Sequence, residues 1–187
     1  MCLGHSLNQF IKQGWLSGGR HCQSPHFNHR PSGCEVSLLV IHNISLPPGK
    51  FGASYIDDLF LGCIDCDADP FFKQLEGLEV SAHFMINRQG EITQYVSTDE
   101  RAWHAGVSEF ANVSNCNDYS IGIELEGTDT TPFSEQQYHS LVELTQLIQQ
   151  AYPKITGERI VGHSDIAPGR KTDPGVAFDW QRFKTAL

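Results

Sequence analysis

The sequence predicts an α/β (α+β) fold, a single domain with a mixed central β-sheet flanked by helices. Three stretches lead there. Residues 36–42, VSLLVIH, are apolar and β-branched and lie between Gly33 and Pro47-Pro48-Gly49, the pattern of a strand buried on both faces. Residues 119–126, YSIGIELE, alternate, so Ile121, Ile123 and Leu125 share one face while Gly122, Glu124 and Glu126 share the other. Ser134 and Gln137 form a capping box, after which Tyr138, Leu141, Val142, Thr145 and Ile148 keep helical spacing until Pro153. Strands and helices interleaved in this way pack as layers around one core.

Each element follows in chain order. Residues 1–35, rich in Gly, His, Ser, Asn and Pro, predict an irregular arm held by Phe10, Ile11, Trp15 and Leu16, with roughly the first ten residues mobile. The strand over 36–42 ends at His42, on the carboxyl edge where open α/β sheets bind their ligands. Residues 54–61 predict a short helix with Tyr55, Leu59 and Phe60 inward. Residues 80–87 and 91–97 alternate and are joined by Asn87-Arg88-Gln89-Gly90, which reads as an antiparallel hairpin with Gly90 at positive φ. The strand over 119–126 is expected to show one core face and one acidic face. Residues 159–162 predict a short strand delivering His163, and Asp179 caps a last helix running through Phe183.

Composition narrows the function. A chain of 187 residues that is 40% hydrophobic can bury a real core. A net charge of −9, with no cluster of Lys and Arg, argues against nucleic acid as a partner. No stretch approaches 18 apolar residues and the first residues lack a signal-peptide pattern, so a soluble, cytoplasmic protein with no membrane association is expected. The six cysteines are expected to remain thiols. Cys63 and Cys66 form a lone CxxC without a second half, and Asp65, Asp67 and Asp69 around it disfavour a thiolate, so two loop thiols are expected.

The chemistry concentrates in residues 162–175, GHSDIAPGRKTDPG. Its prolines and glycines predict a turning backbone, neither helix nor strand, that can aim His163 and Asp173 at one point. Imidazole and carboxylate are ordinary zinc ligands; a structural site would use four protein ligands, and no cysteine lies nearby, which favours an incomplete catalytic shell. His42 is placed to supply the third ligand. Lys171 is a poor ligand but a good partner for an oxyanion. His5, His21, His26, His29 and His139 read as surface or packing residues, whereas His83 and His104 stand open between packing and the site. Glu124 is a candidate general base pointing into a polar space. Glu126 shares its face, and the strand pattern does not separate the two.

Five blocks, SLLVIHNISLPPGKFG, VSAHFMI, RAWHAGVS, CNDYSIGIELEGTD and GHSDIAPGRKTDPG, occur in order. Together they resemble the bacterial cytoplasmic members of the zinc-dependent N-acetylmuramoyl-L-alanine amidases, the family that also includes phage lysozyme-like amidases and peptidoglycan recognition proteins. The resemblance runs from about residue 14 to 183, which sets apart an N-terminal extension, 1–13, from an amidase domain, 14–187. It implies zinc on His42, His163 and Asp173, Glu124 as the base and Lys171 as the transition-state stabiliser. It further implies that Asn43 and Trp103 contact a muramyl-peptide, with Ala167 near the stem. The implied substrate is a small molecule, 1,6-anhydro-N-acetylmuramic acid carrying a peptide that starts with L-Ala. The bond cut joins lactyl group to L-Ala during cell-wall recycling, which would also lower the muropeptides that induce β-lactamase. No obligate protein partner is implied. Relatives often carry Arg where this chain has Asn115, which weakens the expected grip on a stem carboxylate. The alternatives are a non-catalytic peptidoglycan-binding module and a periplasmic amidase acting on intact wall.

Overall fold

The computed structural model describes residues 9–187. In chain order these form β1 (Ile11–Lys12), β2 (Trp15–Leu16), β3 (Arg20–His21), β4 (Phe27–Asn28), β5 (Leu38–Ile44), α1 (Tyr55–Phe60), β6 (Phe84–Ile86), β7 (Ile92–Gln94), β8 (Arg101–Ala102), β9 (Glu109–Phe110), β10 (Val113–Ser114), β11 (Ser120–Glu126), α2 (Glu135–Ala151), β12 (Ile160–Gly162), α3 (His163–Ile166) and α4 (Trp180–Ala186). The expected mobile start falls largely outside the described residues, as does His5.

Six strands make a mixed sheet in the order β12-β5-β11-β6-β7-β3. The central strands β12, β5, β11 and β6 run parallel, β7 returns antiparallel to β6, and β3 lies parallel to β7. The other strands form three two-stranded ladders. Leu39, Ile41, Ile121, Ile123, Phe84, Ile86 and Ile160 share one sheet face and pack with Leu141, Leu144 and Ile148 of α2. Each such side chain, taken fully out of water, contributes about 1.5–3 kcal/mol. The opposite face carries Leu38 and Val40, which pack with Ala105, Tyr119, Val161 and Ile166.

The capping box of α2 forms as expected: Ser134 Oγ accepts from Gln137 N–H at 3.1 Å, and Gln137 Oε1 accepts from Ser134 N–H at 3.0 Å. The same glutamine is fully buried and donates to the carbonyls of Ile86 and Glu126, tying helix to sheet. Gly90 takes a φ of 82°, and a Cβ there would come within 2.7 Å of the Gln136 carbonyl oxygen. Asp179 Oδ1 accepts from Arg182 N–H at 2.9 Å, capping α4 as expected.

Several expectations are corrected. β5 starts at Leu38 and continues past His42, because its ladder with β11 runs on until Glu126 pairs with Ile44. The second face of β11 carries Glu124 and Glu126 as expected, but it is covered, with Glu126 only 2% exposed. In α1 Leu59 and Phe60 are buried and Tyr55 packs part-buried on Phe72, as expected, while Ile56, not anticipated, is buried with them. The segment after Gly162 opens with a helical turn, α3, stabilised where Asp165 Oδ2 accepts from Gly162 N–H at 2.7 Å.

The arm is more integrated than its composition suggests. Leu16 is fully buried, and its N–H donates to the buried Gln94 Oε1 at 2.7 Å, whereas Phe10 is 51% exposed. Arg30 reaches inward and donates to four carbonyls, those of Asn117, Asp118, Thr98 and Ser120. Among the described residues five cysteines carry no disulfide, and Cys63 and Cys66 lie in loop as expected.

Candidate active site

The site is assembled by strand register. β5 and β11 set His42 beside Glu124, and β12, next to β5, leads directly into His163. The chain then turns back through Ala167, whose carbonyl accepts from Arg170 and Lys171 N–H at 3.1 and 3.0 Å. Ser164 N–H donates to the Asp173 carbonyl at 3.0 Å, closing the loop and returning Asp173 to His163. His42 Nδ1 lies 3.0 Å from both His163 Nδ1 and Asp173 Oδ2, and His163 Nδ1 lies 3.1 Å from Asp173 Oδ2. The three residues expected to share an ion are therefore brought together.

The protonation of this cluster suits a cation. His163 Nε2 is 3.0 Å from the Ala105 carbonyl, which can only accept, so the neutral ring keeps its proton on Nε2 and leaves Nδ1 bare. Burial lowers the His42 pKa to about 4, leaving that ring neutral near pH 7. Burial alone would raise Asp173, but hydrogen bonds to His163 and His42 outweigh it and hold the carboxyl well below the usual range. Two nitrogens and a carboxylate oxygen thus converge on one point, where a divalent ion would relieve their mutual repulsion. Two imidazoles and one carboxylate fit zinc with a position left for water.

The two glutamates separate cleanly. Glu126 accepts from Gly52 N–H at 2.5 Å with one oxygen and from Arg88 N–H at 3.0 Å with the other, which commits it to holding loops. Glu124 Oε2 is shut from solvent and has no hydrogen-bond partner among the described residues. Burial and the nearby Asp173 carboxylate push its pKa well above the ordinary value, opposed by Lys171. Lys171 is exposed and makes no ion pair or side-chain hydrogen bond among the described residues. It lines a hollow of about 480 Å³ with Asn43, Asp129 and Asp173. Asn43 uses its Nδ2 hydrogens on Asp129 Oδ1 (2.8 Å) and the Pro174 carbonyl (3.1 Å), leaving Oδ1 available. Trp103 is half-buried, its Nε1–H donated to Asn28 Oδ1 at 2.9 Å and its ring stacked on His26, and Ala167 is buried.

The histidines left open divide. His83 Nδ1 accepts from Gly122 N–H at 3.0 Å, so Nε2 carries the proton and donates to the Glu100 carbonyl at 3.1 Å; this is a packing residue. His104 touches the site, with Nδ1 3.0 Å from His42 Nε2. His21, His26, His29 and His139 bond carbonyls or surface carboxylates away from the cluster. Two bracing residues escape sequence reasoning. Asp129 accepts from Asn43 and from Thr172 Oγ1 (2.5 Å), and Arg170 donates to the carbonyls of Ala105 (2.7 Å) and Val107 (2.6 Å). The available signal was weak: an Asp between threonines just past the carboxyl end of a central strand.

An open sheet whose central strands bring two imidazoles and an unpartnered carboxylate together with the carboxylate of a neighbouring loop fits a metal-assisted hydrolase. A family model described as N-acetylmuramoyl-L-alanine amidase matches residues 32–176, and the chain belongs to that family; it is an amidase. It is 56% identical, over 177 residues covering 95% of this chain and 94% of the relative, to the 1,6-anhydro-N-acetylmuramyl-L-alanine amidase AmpD of Enterobacter cloacae. A crystal structure of a selenomethionine AmpD derivative superposes with a TM-score of 0.93 at 52% identity, covering 95% of this chain and 99% of that one. The Escherichia coli amidase AmiD, solved with anhydro-N-acetylmuramic acid-L-Ala-D-γ-Glu-L-Lys, superposes with a TM-score of 0.60 at 28% identity, covering 95% of this chain and 65% of that one.

Proposed function

We propose that the chain hydrolyses the amide between the lactyl group of 1,6-anhydro-N-acetylmuramic acid and the L-Ala of its stem peptide, in cytoplasmic peptidoglycan recycling. The observation that carries this is the convergence of His42, His163 and Asp173 beside the unpartnered oxygen of Glu124. The substrate is the one named for relatives that match nearly the whole chain and for the AmiD complex. No helix among the described residues is long and apolar enough to cross a membrane. We assign catalysis to 14–187 and none to 1–13.

His42, His163 and Asp173 would hold zinc. When bound, the ion supplies Lewis acidity for activating water and polarising a carbonyl. Glu124, held in a poorly solvated position, takes the proton from the attacking water and returns it to the departing L-Ala nitrogen. Its raised pKa makes it a competent donor in that second role. Lys171 offers its free ammonium to the oxyanion that develops at the carbonyl. Asn43, at the edge of the hollow beside Lys171, and Trp103 are the proposed contacts for the muramyl-peptide; Ala167 is buried and would act through the backbone of its loop.

The test pairs metal content with product. About one zinc per chain is expected, together with release of stem peptide from soluble anhydromuropeptide and poor action on intact sacculi. Glu124→Gln should keep its zinc and lose at least about 100-fold in kcat. Full zinc occupancy without peptide release, or preference for sacculi, overturns the reading.

A further inference from the structure

We infer that His104 is a positioning residue for the metal centre: its Nδ1 accepts the Nε2 proton of His42 and so keeps His42 Nδ1 bare for the ion. The inference rests on the metal reading above and names what orients its ligands.

A histidine that ligates through Nδ1 must carry its proton on Nε2, and in a buried site that proton needs an acceptor. His42 is 1% exposed. Its Nε2 meets His104 Nδ1 at 3.0 Å, with the two rings nearly perpendicular at 84°. His104 Nε2 lies 3.0 Å from Ser120 Oγ, so once Nδ1 accepts, Nε2–H has its own acceptor. The reverse polarity would put a proton on His42 Nδ1, between the rings and the carboxylate where the ion belongs.

The next residue does the same for the second ligand. The Ala105 carbonyl receives the Nε2 proton of His163. Two consecutive residues therefore take the outer protons of both imidazoles, and the pair is itself pinned. Asn117 Oδ1, on a buried side chain, accepts the N–H of His104 at 3.1 Å and of Ala105 at 2.8 Å. The strand beneath makes room for the ring: a Cβ on Gly122 would stand 2.5 Å from His104 Cγ. Backbone and side chain thus hold one short segment in a single orientation relative to the two ligands.

Metal affinity reports this directly. In chelator competition, His104→Leu should bind zinc about 10- to 100-fold more weakly than the unaltered protein. His104→Asn, whose Oδ1 can stand near the Nδ1 position, should recover part of the loss. The d–d spectrum of the cobalt-loaded leucine variant should shift, while thermal unfolding of the metal-free form reports whether the chain still folds. A direct readout needs no variant: ring ¹⁵N shifts of the zinc-loaded protein should show His104 as the Nε2–H tautomer. Unchanged affinity in a folded His104→Leu, or an Nδ1–H tautomer at His104, overturns the inference. Failure of the unaltered chain to bind zinc would instead overturn the metal reading itself.

Discussion

His83 shows what a buried histidine costs in acid. Burial and the adjacent Arg30 guanidinium lower its pKa to about 3, while the unfolded chain has the ordinary value near 6.5. Between those values the unfolded state takes up a proton that the folded state refuses. The stability held by a neutral His83 is therefore complete above about pH 6.5 and is lost as pH falls toward 3, by up to about 1.4 kcal/mol per pH unit. Urea denaturation at pH 7 and pH 5 should show that fall in the unaltered chain and a shallower one in His83→Gln; equal slopes would discount it. At this scale much of the site was readable. His42, His163 and Asp173 stood out because their residue types are ligands and their positions are turns or strand ends. The strand pattern could not tell Glu124 from Glu126, because residues two apart on a strand share a face; the family resemblance pointed to Glu124, and the loops that claim Glu126 give the physical reason.

Among the elements, α2 was the most legible because its signal is local and redundant: a capping box, helical spacing and a terminating proline. Ser134 also donates to the Arg88 carbonyl at 2.8 Å, so it joins the helix start to the hairpin turn. Ser134→Ala should cost about 1–2 kcal/mol in chemical denaturation, and Leu144→Ala, in the fully buried seam, about 2–5 kcal/mol. The two-residue strands were not legible, since a pair of residues has no period to detect. β3 joins the sheet because Gln94 and the neighbouring carbonyls capture the arm, a long-range cause invisible in the arm's own composition. β5 likewise extends past His42 for a reason that lies in its partner, β11.

For the whole molecule, the candidate metal joins parts of the chain that are far apart in sequence: β5, α3 and the loop ending at Asp173. An ion that binds only the folded arrangement should therefore raise the unfolding temperature, by the equivalent of about 2.7 kcal/mol at a hundredfold excess over its Kd. Calorimetry with zinc and with a chelator checks this, and His163→Ala should abolish the difference. The order of strands could not be read beforehand, because adjacency in the sheet depends on which faces the helices cover.

The reach of Arg30 sets a limit on how the protein can be trimmed. Shortening the chain from its start beyond that position would strip the donors from four carbonyls spread over residues 98–120, each costing about 1–3 kcal/mol if left dry. A fusion joint that starts the chain between residues 31 and 37 would thus loosen the segment carrying Asn117 and Ser120, which hold His104 and Ala105, although His42, Glu124, His163 and Asp173 all remained in the truncated product.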